Sequence, residues 1–405
     1  MTPSLNNGTC DGSRAAATRN MPETAGRPLV IAQLLPSLDI GGMERLAVDL
    51  AHRQVIDGHR AFIYCTRHLG QLAPEAEANG ASLRAFGKAD GPSWHLVTSL
   101  ARRLREDRVD VLHAHNALVL HYGLVAARLA GATVVVNTRH GGNMNFDPKC
   151  ERIWRVAARW ADGVVFVSEG VRDFYVEKDR LALSNSHVIY NGIELSRFLA
   201  PKVRHTGSPA RFRFGAVGRL VPAKDHLTLV RAFGQVAKHL PESELHLLGD
   251  GPCRESIAKT ASELGVAERV VLHGAGYNVP EFLASLDAFV LSSVDEGLPI
   301  SLMEAMAAGL PVISTRLRGF AELAPESVVA GYCPPGQPDA LANLMLTTAR
   351  RADLDCLGET ARRWSQRFGI EESWLKYQAL FRQLLTTRGV QLKPERGLTT
   401  CASRS

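Results

Sequence analysis

The sequence predicts an α/β protein built as two Rossmann-like doubly wound domains facing a central cleft, and three observations predict it. From Leu29 onward, short runs rich in leucine or β-branched residues alternate with amphipathic helical segments, the pattern of a parallel sheet covered by helices. That alternation stops near residue 196 and restarts near 212, so it occurs twice. The length, 405 residues, suits two compact domains of roughly 150–200 residues each.

The elements follow in order. Leu29–Leu35 is an apolar run too short for a buried helix and reads as the first strand; Glu44–Ile56 has helical periodicity, and Ala61–Cys65 is again a strand. His95–Arg105 predicts a helix, Val109–His113 a strand, Val119–Leu129 a helix and Thr133–Asn137 a strand. Lys149–Trp160 predicts a helix and Gly163–Val167 a strand; a helix after Glu169 and a strand at His187–Tyr190 complete the first domain, residues 29–195. Pro201, Gly207 and Pro209 among polar residues mark 196–211 as a linker. In the second domain, residues 212–365, strands are expected at Phe212–Val217, Glu244–Leu248, Arg269–His273, Ala288–Leu291 and Pro311–Ser314. Helices follow Asp225, Cys253, Val279 and Ser301, and a helix-rich stretch begins at Pro338. Its last helix, 366–388, is expected to pack back toward the first domain. Residues 1–28 read as an unstructured leader, with Met21 an alternative start, and 389–405 as a disordered tail.

Bulk composition narrows the function. Hydrophobic residues make up 45% and charged residues 22%, a globular balance. The apolar runs fall short of the ~20 residues that span a bilayer, and no signal peptide is recognisable. Seven scattered cysteines without metal spacing fit reduced thiols in the cytoplasm and no metal site. The net charge of +6 is compatible with anionic substrates or an anionic membrane surface. Few aromatics and no reader motif argue against nucleic acid. Neither half carries a G-x-G-x-x-G after its first strand, which lowers nicotinamide and flavin chemistry.

The stretch Ser292–Thr315, SSVDEGLPISLMEAMAAGLPVIST, carries the most chemistry. After a strand and a turn at Gly297, it predicts a helix whose first turn contains Pro299 and follows Leu298. The free amides of Ile300, Ser301 and Leu302 then make a phosphate site. Glu296 precedes the helix and Glu304 lies inside it. Eight residues apart, ~12 Å if fully helical, they can hold hydroxyls at opposite ends of an extended ligand. After the second domain's first strand comes Gly218-Arg219-Leu220, then Lys224-Asp225, and after the first domain's first strand comes Gly41-Gly42-Met43-Glu44. Val109-Asp110-Val111-Leu112-His113-Ala114-His115 ends a strand with two histidines; Asn191-Gly192-Ile193-Glu194 and Gly249-Asp250-Gly251-Pro252 mark turns. Arg152, Arg155 and Arg159 recur at helical spacing beside the more apolar Ile153, Val156, Ala157 and Trp160. Trp94–Arg108 has a similar basic character, and both read as a solvated face or as contacts to anionic lipid headgroups.

Together these segments, across about residues 29–375, resemble family 4 of the retaining glycosyltransferases, whose E-x7-E signature Glu296 and Glu304 match with their whole neighbourhood. The resemblance implies the GT-B fold and sugar transfer from a nucleotide-diphosphate donor, UDP- or GDP-linked, with no cofactor and no metal. It implies that Arg219 and Lys224 hold the diphosphate, with Glu296 on the transferred sugar and Glu304 on the ribose. Gly41, Gly42 and Gly218 would line the donor, His115 would face its sugar, and the loop His273–Tyr277 would flank the base. The implied acceptor is a glycan or a lipid-linked hydroxyl in polysaccharide or glycolipid synthesis, with peripheral association at the inner face of the cytoplasmic membrane. A nucleotide-sugar 2-epimerase or sugar phosphorylase of the same architecture, or a non-catalytic nucleotide-sugar-binding scaffold, is the alternative.

Overall fold

In the computed structural model, which describes residues 27–131, 133–141, 148–179, 184–199, 211–276 and 278–390, the first apolar run forms strand β1 (Val30–Leu35) and leads into helix α1 (Gly42–Ile56). There follow β2 (Arg60–Cys65), α2 (Ala73–Ala78), β3 (Ser82–Ala85), α3 (Trp94–Glu106), β4 (Val111–His115) and α4 (Ala117–Ala130). The first half closes with β5 (Val134–Arg139), α5 (Pro148–Ala158), β6 (Gly163–Phe166), α6 (Glu169–Asp179) and β7 (Ser186–Val188). The leader up to residue 26, linker residues 200–210, Tyr277 and the tail from 391 lie outside the described residues.

After a 3-10 turn at Leu195–Phe198, the second half runs β8 (Arg213–Val217), a 3-10 turn at Pro222–Lys224, α7 (His226–His239), β9 (Glu244–Leu248) and α8 (Arg254–Glu263). It continues with β10 (Val270–Gly274), α9 (Val279–Ala284), β11 (Ala288–Leu291), α10 (Ile300–Ala307), β12 (Val312–Thr315), α11 (Phe320–Leu323) and β13 (Gly331–Cys333). Three helices follow: α12 (Pro338–Ala349), α13 (Leu354–Ser365) and α14 (Ile370–Thr387).

All pairings in both sheets are parallel. The first has the order β3-β2-β1-β4-β5-β6-β7 and the second β10-β9-β8-β11-β12-β13. Strand order therefore reverses between β1 and β4, and again between β8 and β11. Ligands of open α/β sheets bind at the carboxyl ends of strands flanking such a point.

Several boundaries differ from the sequence reading for local reasons. The strand expected at Val109–His113 starts two residues later, because Arg108 takes φ 56° and the Asp110 carboxylate accepts the Val30 amide at 2.8 Å while the chain still turns. Strands β3 and β13 and helices α2 and α11 were not expected: the strands are three- and four-residue edge strands, and the helices span six and four residues. Such short pieces carry little periodicity.

Helix α14 lies against the first sheet. Trp374, fully buried, donates its indole N–H to Asp57 at 2.6 Å, and the Tyr377 hydroxyl bonds Thr138 Oγ1 at 2.9 Å. Upstream, Ile193 bridges to Gly369 in parallel, and a Cβ on Gly192 would lie 2.6 Å from the Ile370 Cα. The Asn-Gly segment is thus locked to the start of α14 by a contact that only glycine permits.

Candidate active site

Four loops at the two switch points converge. The loop after β1 ends in Gly41 and passes into α1 at Gly42, β4 ends in His115, the loop after β8 carries Gly218 and Arg219, and the loop after β11 carries Glu296 and Gly297. They touch across the cleft. A Cβ on Gly42 would lie 3.2 Å from Ile300 Cδ1, and one on Gly297 would lie 1.9 Å from the His140 carbonyl oxygen and 2.6 Å from the Gly141 Cα. Only a residue without a side chain lets these two backbones approach so closely.

Lys224 and Glu296 form an ion pair, and Ser293 Oγ donates to the same Glu296 oxygen at 2.8 Å. The turn bearing Lys224 is stitched to the loop after β11, for Ser292 Oγ donates to the Lys224 carbonyl at 2.9 Å and the Val294 amide to Ala223 at 2.9 Å. Asp225 caps α7 from the left-handed region, φ 46°, accepting the Thr228 amide. The Lys224 stem crosses Gly218, whose added Cβ would meet it at 3.5 Å. Arg219 is exposed and makes no ion pair among the described residues. Its charge acts on Glu44 of the first half, whose carboxyl is raised by burial and lowered by its own backbone and by Arg219.

The helix end differs from expectation. Pro299 is the N-cap of α10, with an extended ψ of 108°, and the helix begins at Ile300. The Leu302 amide turns back to the Pro299 carbonyl at 3.1 Å, a 3-10 closure of the first turn. Two amides, those of Ile300 and Ser301, are therefore open at this end instead of three. Leu298 and Pro299 are buried beneath them.

Glu296 and Glu304 also part company. Half of the chain between them is the non-helical turn before Ile300, so the helical rise does not separate them. Glu304 faces Arg197 and, from α1, Arg45 and Asp49. Burial pushes its carboxyl up to about 7, Asp49 adds to the rise, and Arg197 and Arg45 oppose it. Burial likewise raises Asp49 to about 6 against Arg45 and Arg197, with Glu75 and Glu194 adding to the rise.

That pair makes a testable contribution to stability. Both groups hold their proton more tightly folded than unfolded, so their contribution is full below the ordinary carboxylate range and falls as pH rises toward 7. The buried histidines act in the opposite sense, so the difference between wild type and Glu304→Gln isolates the effect. Glu304→Gln is expected to gain on the order of 1–2 kcal/mol relative to wild type between pH 5 and pH 8, read as urea midpoints. A difference that is flat or shrinks with pH would overturn this account.

His115 is fully buried, and both of its ring nitrogens are engaged. Nε2 bonds Gln33 Oε1 at 2.8 Å and Nδ1 bonds His140 Nε2 at 2.9 Å. A carbonyl oxygen can only accept, so the network assigns the proton to His115 Nε2, leaving its Nδ1 to accept from His140 Nε2–H. His140 Nδ1 then carries a lone pair and has no partner among the described residues. Burial keeps both imidazoles neutral, His115 well below its ordinary value and His140 lowered to about 3 with Arg139 contributing. His140 is held by its neighbours: its ring stacks on His115 at 5.2 Å, and its amide donates to Asn116 Oδ1 at 3.1 Å. Asn116 itself adopts φ 63°, a strained value for a non-glycine residue at the tip of a strand.

Of the two histidines, His140 is the partly exposed one and its backbone carbonyl meets Gly297, while His115 is fully buried. The sequence reading passed over His140 because it ended the strand at Asn137, whereas β5 runs to Arg139 and places His140 at a strand's carboxyl end. Among the described residues, no three His, Cys, Asp or Glu side chains are grouped to hold a metal.

The chain matches two family models: Glycosyltransferase Family 4 over residues 40–197 and Glycosyl transferases group 1 over residues 211–350. It is 30% identical over 330 residues to a GDP-mannose-dependent alpha-(1-6)-phosphatidylinositol monomannoside mannosyltransferase of Mycobacterium tuberculosis, covering 76% of this chain and 85% of that one. It is 27% identical over 249 residues to the UDP-Gal:alpha-D-GlcNAc-diphosphoundecaprenol alpha-1,3-galactosyltransferase of Escherichia coli. That match covers 55% of this chain and 62% of the relative, less than two thirds of its length. Among solved structures, Anabaena Alr3699/HepE in complex with UDP and glucose superposes with a TM-score of 0.77 at 22% identity, over 87% of this chain and 100% of that one. At that identity the likeness establishes the GT-B fold.

Proposed function

The chain belongs to glycosyltransferase family 4, within the group 1 glycosyl transferases, and from that premise we propose that it moves a sugar from a nucleoside-diphosphate donor to a hydroxyl of a glycan or lipid-linked acceptor, retaining the anomeric configuration. The observation that carries this reading is the convergence of Arg219, the Lys224–Glu296 pair and the open amides of α10 at a switch point, facing the glycine loop and His140 of the other half.

In this reading Arg219, with no ion pair among the described residues, takes the donor diphosphate together with the Ile300 and Ser301 amides. Lys224 moves from Glu296 to the phosphate, where charge develops as the glycosidic bond breaks. Glu296, released, accepts a hydroxyl of the transferred sugar, and His140 Nδ1 accepts another. His115 and Gln33 hold the His140 tautomer. Glu304, on the opposite side of α10, is assigned to the ribose, with Arg197 beside it. The C1–phosphate bond breaks and the C1–acceptor bond forms on the same face, and the departing phosphate oxygen takes the acceptor's proton. Closure of the two halves keeps water from intercepting the donor.

The donor base is uridine or guanosine, the two that occur in the relatives' names. The relatives' lipid-linked acceptors support a peripheral position on the inner face of the cytoplasmic membrane, and no helix among the described residues is long and apolar enough to cross one.

Thermal-shift titration with UDP, GDP and ADP tests the donor site. One of the first two is expected to stabilise the protein, and Arg219→Ala to weaken that nucleotide by roughly 10- to 100-fold, the worth of a charge-assisted pair. Equal binding to wild type and variant would remove Arg219 from the site. Binding that survives in Glu296→Ala, with no transfer by wild type to any acceptor, would favour a non-catalytic scaffold.

A further inference from the structure

Helices α4 and α5 pack side by side on one face of the first sheet, and each turns an apolar stripe to solvent. On α4 the stripe is Leu118, Val125 and Leu129, spaced i, i+7, i+11; on α5 and its continuation it is Ile153, Val156 and Trp160, spaced i, i+3, i+7. Val125 of the first stripe and Ile153, Val156 and Trp160 of the second line one open groove, and the last three remain 48%, 55% and 66% exposed. The sequence reading set Ile153, Val156, Ala157 and Trp160 on the apolar side of the helix, but of these only Ala157 is buried, and it enters the core with Trp154 and Ala158. Contiguous exposed apolar surface rimmed by charged residues marks an interaction site.

The charges around the groove choose the partner. Arg128 and Arg152 line it and Arg159 flanks it, all three exposed and without a carboxylate partner among the described residues. Helix α4 contains no acidic residue, and the Glu151 carboxylate of α5 is turned onto the buried Arg139. Two copies joined through a twofold axis would set these arginines against one another with no acid to pair them. An anionic surface with an apolar interior satisfies both features, the tryptophan and aliphatic side chains entering below the headgroups and the guanidiniums meeting phosphates.

We propose that the α4–α5 face docks the protein on a bilayer containing anionic phospholipid. The docking rests on the reading of a lipid-linked acceptor only for its purpose, since it is measured without donor or turnover.

Flotation with vesicles of phosphatidylcholine, with and without phosphatidylglycerol, tests it on the full chain. Wild type is expected to float with the phosphatidylglycerol vesicles and remain soluble with phosphatidylcholine alone. Ile153→Ser/Trp160→Ser and, separately, Arg128→Gln/Arg152→Gln/Arg159→Gln are each expected to reduce that binding by at least about tenfold. Nucleotide-induced thermal shifts should stay as in wild type, which shows that the variants fold and keeps failure here separate from failure of the transferase reading. Absence of wild-type flotation, equal flotation on both vesicles, or undiminished binding by either variant would overturn the proposal. So would a wild-type dimer in sedimentation that Ile153→Ser/Trp160→Ser dissociates, which would make a second copy the occupant.

Discussion

Lys224→Ala is expected to lower kcat/KM by about 100- to 1,000-fold, the scale for removing one donor aimed at charge that develops in a transition state. The structure explains why the effect should fall on the chemical step. Without a donor, Lys224 is neutralised by Glu296 and its stem is steered across Gly218, so it is placed and held but not committed. Each partner of this pair then has a different part of the donor to serve, and the exchange of one ion pair for two contacts costs little until charge builds on the leaving phosphate. Lys224→Arg should recover only part of the loss, because a planar fork does not reproduce a compact ammonium. A double-mutant cycle with Glu296→Gln separates the two roles. If the residues act on different parts of the donor, their losses should nearly add; if they matter only to each other, the double variant should be no worse than either single one. A loss smaller than about fivefold in Lys224→Ala, with an unchanged melting temperature, would place Lys224 outside the site.

The fold was legible because its buried strands are apolar and recur between amphipathic helices. Runs such as Glu244–Leu248 and Ala288–Leu291 are short apolar strands bounded by turns, and they occur where expected, as do the helices after Asp225 and Cys253. What escaped was either brief or tertiary in origin. Strand β3 is half-exposed and pairs only at an edge, so its sequence, Ser82–Ala85, lacks the apolar character that buried strands carry. The site was legible to the degree that it lies in contiguous motifs: the glycine loop, the pair Arg219 and Lys224, and the segment around Glu296 all reach the two switch points. The tautomer chain from Gln33 through His115 to His140 was not legible, because its members lie on β1, on β4 and just past the end of β5, and nothing in the spacing of residues 33, 115 and 140 announces contact. The same holds for Glu304, whose carboxyl is raised by burial and by Asp49 against the opposing Arg197 and Arg45, all three distant in sequence.

Gly297→Ala is expected to lower kcat by about 100-fold or more while leaving nucleotide affinity within a few-fold of wild type. The backbone at Gly297 is not in the left-handed region, so an alanine adds no conformational strain of its own. The cost comes from space. An added Cβ would sit 1.9 Å from the His140 carbonyl oxygen and 2.6 Å from the Gly141 Cα, both backbone atoms that no rotamer change can move aside. The loop after β11 and the end of β5 must therefore separate, which pulls Glu296 away from His140, and a displacement of ~1 Å between reacting groups can cost about 100-fold. Arg219 and Lys224, proposed above to hold the diphosphate, stay on the second half, so the nucleotide should still bind. Gly42→Ala is the matched control. Its Cβ would meet Ile300 at 3.2 Å, but at the far end of a flexible side chain, so a rotation should absorb it and kcat should change by less than about threefold. Calorimetric nucleotide binding alongside steady-state kinetics at saturating donor distinguishes the outcomes. If both glycine variants were equally active, the close approach of the two halves at Gly297 would not be the catalytic geometry, and if Gly297→Ala lost nucleotide affinity in proportion to kcat, the nucleotide itself, and not only the transferred sugar, would have to be held from both halves.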